Sequence, residues 1–146
     1  VDHGGDGRRN IWTDLDDVFA STANYLRASG YRVGAPWGFE VTLPDGFDYA
    51  LADVDVTKAV IEWVGAGVSG GAVNLAADLD PNMRGRVLLP AGAKGPAFLV
   101  FENFEAILKY NRSTSYALAV GMLADTFSGR YRPVTAPWPR SDRALT

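Results

Sequence analysis

The chain has no cysteine among its 146 residues. Disulfides, zinc–thiolate centres and a cysteine nucleophile are thereby excluded. Histidine is almost as scarce: His3 is the only one, so a Ser-His-Asp arrangement would have to draw on the extreme N-terminus. No apolar run approaches the roughly 18 residues of a membrane span. There is no excess of positive charge either. The net charge is −3 and the pI about 5.0, with no basic face, which argues against nucleic acid as a partner. What remains is 47% hydrophobic and 21% charged, an ordinary globular composition at a length that suits one domain with a real core.

The chain is organised around its opening stretch, Asp2-His3-Gly4-Gly5-Asp6-Gly7-Arg8-Arg9-Asn10-Ile11-Trp12. Asp2 and Asp6 take the first and fifth positions of a loop and Gly7 the sixth, the start of an EF-hand-type pattern. Calcium requires several hard oxygens at about 2.3–2.6 Å, and a glycine lets the loop turn them inward. Arg8, at the seventh position, would offer its carbonyl. Two departures stand out. Gly4 lacks a side-chain oxygen at the third position, and Thr13 stands at the twelfth, where a bidentate Glu is usual. Asp16 or Asp17 would restore a carboxylate if the loop is longer. The other reading is a solvated acidic turn, followed by a helix whose dipole favours acidic residues in its first turn. Val1 opens directly on this loop with no signal-peptide pattern, so the expectation is a piece of a longer chain.

Thr13 or Asp14 caps a first helix that ends near Ser29, with Gly30 as its C-cap. Leu15, Val18, Phe19, Thr22 and Leu26 share a face at helical spacing and form its expected core stripe. Glycines and prolines punctuate residues 31–56, where Phe39-Glu40-Val41-Thr42-Leu43 alternates like a strand. Thr57 caps an expected short helix from Lys58 to Val64, and residues 65–86 read as loop with short strands. Val87-Leu88-Leu89 and Ala97 to Phe101 read as a hairpin. Asn103 caps a helix from Phe104 to Tyr110, and Ser113 or Thr114 caps a last helix to about Phe127, with Tyr116, Val120, Leu123 and Phe127 as its stripe. The proline-bearing tail, residues 131–146, reads as an extended linker.

Glycoside cleavage requires a proton donor, normally a carboxylic acid of raised pKa. Glu40, Glu62, Glu102 and Glu105 sit in no motif that marks one of them for that task. Tyr110-Asn111-Arg112-Ser113-Thr114-Ser115-Tyr116 is more informative. Two tyrosines, an amide and hydroxyls at a helix–helix joint offer stacking faces and hydrogen bonds to a sugar. The same residues also suit a plain connection, with Asn111 near a C-cap and Ser113 as an N-cap.

Two segments go beyond these generic patterns. The opening loop with Ala23-Asn24-Tyr25-Leu26, and Phe101-Glu102-Asn103-Phe104-Glu105-Ala106-Ile107-Leu108-Lys109-Tyr110-Asn111-Arg112-Ser113 with Tyr116-Ala117-Leu118-Ala119-Val120, resemble the B-type (MltB-like) lytic murein transglycosylases. Leu88-Leu89-Pro90-Ala91-Gly92 and Gly95-Pro96-Ala97-Phe98-Leu99-Val100 add to the resemblance, which covers residues 1 to about 130. It implies an α+β fold: part of a lysozyme-like helical domain (residues 1–30 and 102–130) with a small β-rich insertion (residues 31–101). It also implies cleavage of the MurNAc-β-1,4-GlcNAc bond of peptidoglycan with formation of a 1,6-anhydromuramoyl end. One glutamate serves as acid and then base, and the muramoyl C6 hydroxyl takes the place of water.

Carried over by resemblance, Asp2, Asp6 and Asp17 match calcium carboxylates and Arg8 a carbonyl ligand; Gly4 weakens that site. No organic cofactor is implied. Tyr25, Tyr110, Asn111 and Tyr116 match positions lining the glycan groove. The family's catalytic glutamate precedes the calcium loop, so this chain is expected to be the C-terminal part of the catalytic domain and inactive alone. The implied partners are glycan strands, the N-terminal segment of the same domain, and a cell-wall-binding domain after the tail. The implied location is the periplasm or outer membrane of a Gram-negative bacterium. Two rival readings are a non-catalytic peptidoglycan-binding module and a calcium-stabilised structural module.

Overall fold

The computed structural model describes residues 1–10 and 12–140. In chain order it comprises α1 (Leu15–Ala28), β1 (Gly38–Val41), a 3-10 turn (Tyr49–Ala52), β2 (Lys58–Ala59), α2 (Val60–Gly65), α3 (Leu75–Asp78), β3 (Arg84–Leu88), β4 (Ala97–Val100), α4 (Glu102–Tyr110) and α5 (Thr114–Phe127). The fold is α+β: helices stand at both ends of the chain, and the strands lie between Gly38 and Val100.

The strands form an antiparallel sheet in the order β1-β4-β3-β2. The expected hairpin is present, with Arg86 opposite Val100 and Leu88 opposite Phe98. β4 is buried along its whole length because it lies between two cores. Alternate side chains of a strand point to opposite faces. Phe98 and Val100 therefore join Trp37, Phe104, Ile107, Ala117 and Leu118 on the helical side. Ala97, Leu99 and Phe101 join Val41, Val60, Trp63, Val68, Leu75 and Val87 on the other. Trp63 is fully buried, and its indole N–H donates to the Gly85 carbonyl at 2.9 Å.

Local expectations hold at most helix ends. The Asp14 side chain caps α1, and the Ser113 hydroxyl caps α5 by accepting from Tyr116 N–H. Two differ. Lys58 and Ala59 are not helical but pair with Gly85 and Arg84, so α2 starts at Val60. Asn103 is not a cap. It is buried within the first turn of α4, donates to the Arg32 and Ala35 carbonyls and accepts from Arg32 N–H. An amide ties down a turn there because it can donate and accept at once.

The larger correction concerns which way the long helices face. Leu15 and Phe19 of the α1 stripe are 68% and 67% exposed, and only the Leu26 end reaches the helical core. On α5, Leu123 and Phe127 are also exposed; the buried face is Ala117, Leu118 and Gly121. Small residues win that face because Trp37 lies against it: a Cβ on Gly121 would sit 2.7 Å from the indole ring. Leaving a Leu or Phe in water forgoes about 1.5–3 kcal/mol of burial each.

The tail does not run free over its described part. Glu40 accepts from Thr135 N–H at 2.8 Å, Ala136 N–H at 2.8 Å and the Thr135 hydroxyl. Arg132 lies over the Phe39 ring, and Val134 packs on the helical core. Residues 141–146 of the expected linker lie outside the described residues.

Candidate functional site

The opening loop is built around carboxylates that accept backbone N–H groups. Asp2 accepts from Gly5 at 2.7 Å and Gly7 at 2.9 Å. Both glycines have positive φ, 69° and 82°, a conformation that other residues adopt only with strain. Asp6 accepts from Arg8 N–H at 2.8 Å. Asp17 reaches back from the first turn of α1, is only 1% exposed, and accepts from His3 at 2.7 Å and Asn10 at 2.8 Å. The Asn10 and His3 N–H groups, in that order, hold its carboxyl below the ordinary aspartate value. Hydrogen bonds to the charged form have that effect.

Asp2, Asp6 and Arg8 lie in the loop, and Asp17 ties it down from α1 through His3 and Asn10. They are not arranged as a cage: among the described residues, no group of three or more His, Asp or Glu side chains is placed to hold a metal ion. Gly4 contributes no side-chain oxygen, and both Asp17 oxygens are committed to amides. The residues as arranged do not fit calcium.

The predicted groove residues meet where α1, α4 and α5 join. The Tyr25 and Tyr110 rings are 5.6 Å apart edge to face, and Tyr110 and Tyr116 are 6.4 Å apart and stacked. Each ring keeps 38–46% of its surface in water. Tyr25 is fixed by donating its hydroxyl to the Lys109 carbonyl at 3.1 Å, and Lys109 Nζ donates to the Ser29 carbonyl at 3.0 Å. Asn111 forms the turn: its N–H bonds the Ile107 carbonyl, and its side-chain oxygen accepts from Ser113 N–H. The segment is a helix–helix connection, and it also displays a ladder of aromatic faces. Such faces suit the apolar side of a pyranose ring.

Beside the ladder lies an open cleft of about 390 Å³ lined by Tyr25, Glu105, Leu108, Lys109 and Arg112. The sequence names its acid, Glu105, as one of four glutamates but does not reveal its partner. Glu105 is held by Arg86, a buried arginine of β3 whose guanidinium lies 5.8 Å from the Phe104 ring centroid. Only the sheet brings residues 86 and 105 together, so no local signal could have paired them. The Glu105 carboxylate accepts from Arg86, which fixes the acid at the edge of the cleft. The cleft offers stacking and hydrogen bonding along one wall.

Comparison with known proteins gives this wall a context. Residues 1–125 match the family model described as Transglycosylase SLT domain. Membrane-bound lytic murein transglycosylase B of Escherichia coli (strain K12) is 31% identical over 129 residues, 84% of this chain and 32% of that protein. The crystal structure of SltB3 from Pseudomonas aeruginosa with NAG-NAM-pentapeptide superposes with a TM-score of 0.89 at 55% identity, over 97% of this chain and 38% of that one. SltB3 has also been solved with NAG-anhNAM-pentapeptide. The Escherichia coli lytic transglycosylase Slt35 in complex with calcium gives a TM-score of 0.67 at 27% identity, over 89% of this chain and 40% of that one. The chain thus spans about a third of the curated relative it matches.

Proposed function

The chain belongs to the transglycosylase SLT domain family, and on that footing we propose that residues 1–130 are the C-terminal part of the catalytic domain of a peptidoglycan lytic transglycosylase. Within it, residues 1–30 form the loop and first helix, 31–101 the β-rich insertion and 102–130 the helical pair; residues 131–146 lead on from the domain. The observation that carries the reading is the ladder Tyr25–Tyr110–Tyr116, built on three helices and open to water.

In the proposed reaction, a glutamic acid outside this chain gives its proton to the glycosidic oxygen as the bond to muramoyl C1 breaks. The carboxylate then takes the C6 hydroxyl proton as O6 bonds to C1. At C1 one C–O bond breaks and one forms, the glutamic acid ends protonated as it began, and no water is consumed. This chain contributes binding: Tyr25, Tyr110 and Tyr116 stack on the glycan, and Asn111 hydrogen-bonds to it. The partners in this reading are peptidoglycan strands, the acid-bearing segment of the same domain, and a cell-wall-binding domain reached through the tail. The place of action is the periplasm or outer membrane of a Gram-negative cell; among the described residues no helix is long and apolar enough to cross a membrane. Calcium has no part in this reading while Asp17 is bonded to the His3 and Asn10 amides; Asp2, Asp6, Asp17 and the Arg8 carbonyl would hold it only if Asp17 gave up those partners.

Incubation of the chain alone with muropeptides tests the reading. Glycan binding without anhydro product is expected, and binding is lost in Tyr110→Ala/Tyr116→Ala. Anhydro product above background would overturn the assignment of the acid to another segment. A second reading, a non-catalytic peptidoglycan-binding module, is favoured by the engagement of Glu105 with Arg86. The coding sequence upstream of Val1 separates the two: the enzyme reading requires a glutamate-bearing segment there.

A further inference from the structure

The cleft beside the tyrosine ladder has the opposite sign of charge to the chain as a whole. The sequence holds 17 acidic side chains against 14 basic ones. Around the cleft that balance reverses. Lys109 and Arg112 line it, and its one acid, Glu105, is taken up by Arg86. Lys109 is already engaged, since its Nζ donates to the Ser29 carbonyl at 3.0 Å. Arg112 is exposed at the cleft. Among the described residues it has no ion-pair partner: the pairs are Arg32–Glu102, Arg86–Glu105 and Arg130–Asp125. Its backbone is pinned on both sides, because Asn111 N–H bonds the Ile107 carbonyl and the Asn111 side chain accepts from Ser113 N–H. A planar fork of N–H donors on a fixed stretch of backbone suits a carboxylate, which it can take with two parallel bonds.

We propose that Arg112 is a specificity residue: it binds a carboxylate of the peptide that a muramoyl residue carries, while the sugar stacks on the ladder. This role deepens the reading of the groove as a peptidoglycan site and rests on it. Tyr25 joins the two halves, since its ring packs edge to face on Tyr110 and is also a wall of the cleft. The dimensions agree. From Glu105 to Arg112 the cleft follows α4 and the turn after it, roughly 10 Å at the helical rise. An extended peptide of four or five residues reaches about 13–18 Å, so its carboxylates come within range of Arg112 from a sugar held by the tyrosines. Leu108 gives the peptide an apolar floor. A neutral glycan gains nothing from the guanidinium. The charge therefore selects strands that keep their peptides over strands stripped of them.

The test is an NMR titration of the chain with three ligands: GlcNAc-MurNAc-pentapeptide, the same compound with its carboxylates amidated, and peptide-free chitotetraose. The unsubstituted chain should bind the first about 3- to 10-fold more tightly than the second. Arg112→Gln should erase that preference and leave affinity for the amidated ligand and for chitotetraose unchanged. Arg112→Lys keeps the charge without the fork and should retain part of the preference. Raising salt from about 50 mM to about 500 mM should shrink the preference in the unsubstituted chain and do nothing in Arg112→Gln. Position 112 is exposed, so all three proteins should melt alike. A preference that survives Arg112→Gln would overturn the proposal, as would an equal loss for all three ligands. Binding of chitotetraose without any preference for free carboxylates would also overturn it, while sparing the groove reading. A chain that binds none of the three ligands would overturn both.

Discussion

Asp17 accepts the backbone N–H of His3 at 2.7 Å across 14 residues of sequence. Its other oxygen takes the N–H of Asn10, so one buried carboxylate closes both sides of the opening loop. Asp17→Asn retains a single acceptor and turns an amide NH2 towards a donor. The loop should open more often, and trypsin should cut after Arg8 or Arg9 several-fold faster while α4 and the sheet stay protected. Unchanged cleavage would mean that the loop is held by other contacts.

The same carboxylate makes the loop sensitive to acid. Its folded pKa is lowered, first by Asn10 N–H and then by His3 N–H. A lowered folded value stabilises the folded form above the unfolded pKa, about 3.9 for aspartate, and that contribution disappears as pH falls through the folded value. The Asn10 amide resonance should stay constant from pH 8 to 5 and titrate with a midpoint below about 3.9. A midpoint above it would contradict the assigned cause.

Calcium binding should be limited by Gly4. Millimolar calcium or its removal by EGTA should move the melting temperature only slightly. Gly4 has ordinary backbone geometry, and a Cβ there would meet only Asp14 Oδ2, at 4.0 Å. Gly4→Asn supplies the missing oxygen without a further negative charge and should tighten calcium binding about tenfold or more by calorimetry, since affinity follows ligand number and charge. Tight binding by the unaltered chain would show that Asp17 exchanges its amide partners for the ion.

These behaviours were unevenly legible in the sequence. Asp14, Ser113 and Gly30 marked helix ends because caps act locally, and α4 buries Phe104 and Ile107 because they lie on its apolar face. The α1 and α5 stripes were correct as periodicities but not in direction. Periodicity reports that a face is apolar, not that this chain contains its cover; on α5 the small residues Ala117 and Gly121 were needed against Trp37. Asn103 looked like a cap because its partners at Arg32 and Ala35 are distant in sequence. The groove tyrosines emerged from resemblance, since nothing in spacing links Tyr25 to Tyr110.

The α5–Trp37 contact is tight enough to test with a single methyl group. Gly121→Ala gains about 1 kcal/mol of helix propensity, but the new Cβ would sit 2.7 Å from the indole, which is held by its N–H bond to Asp125 at 2.8 Å. Overpacking a rigid contact costs about 1–3 kcal/mol. The net expectation is destabilisation by up to about 2 kcal/mol in urea unfolding, with a shift in tryptophan emission. A stabilised variant would show that α5 can move away from Trp37 at little cost.

By sequence Glu40 is a strand carboxylate that no motif marks as a catalytic acid; in the structure it grips the tail. β1 is an edge strand, and exposed edges invite pairing with other chains unless something covers them. The tail crosses this region and closes a cavity of about 360 Å³ lined by Trp37, Phe39, Val41, Phe98 and Met122, with Val134 and Thr135 on the tail side. The bonds from Thr135 and Ala136 are charge-assisted but partly exposed, so their joint net contribution is about 1 kcal/mol. Glu40→Ala should therefore free the tail without unfolding the sheet. Trypsin should cut after Arg130 several-fold faster, and acrylamide should quench Trp37 more strongly, while the urea midpoint falls by no more than that ~1 kcal/mol implies. Glu40→Gln retains one acceptor and should fall between the two. Identical cleavage in all three proteins would show that Val134 and the Arg132–Phe39 contact hold the tail unaided.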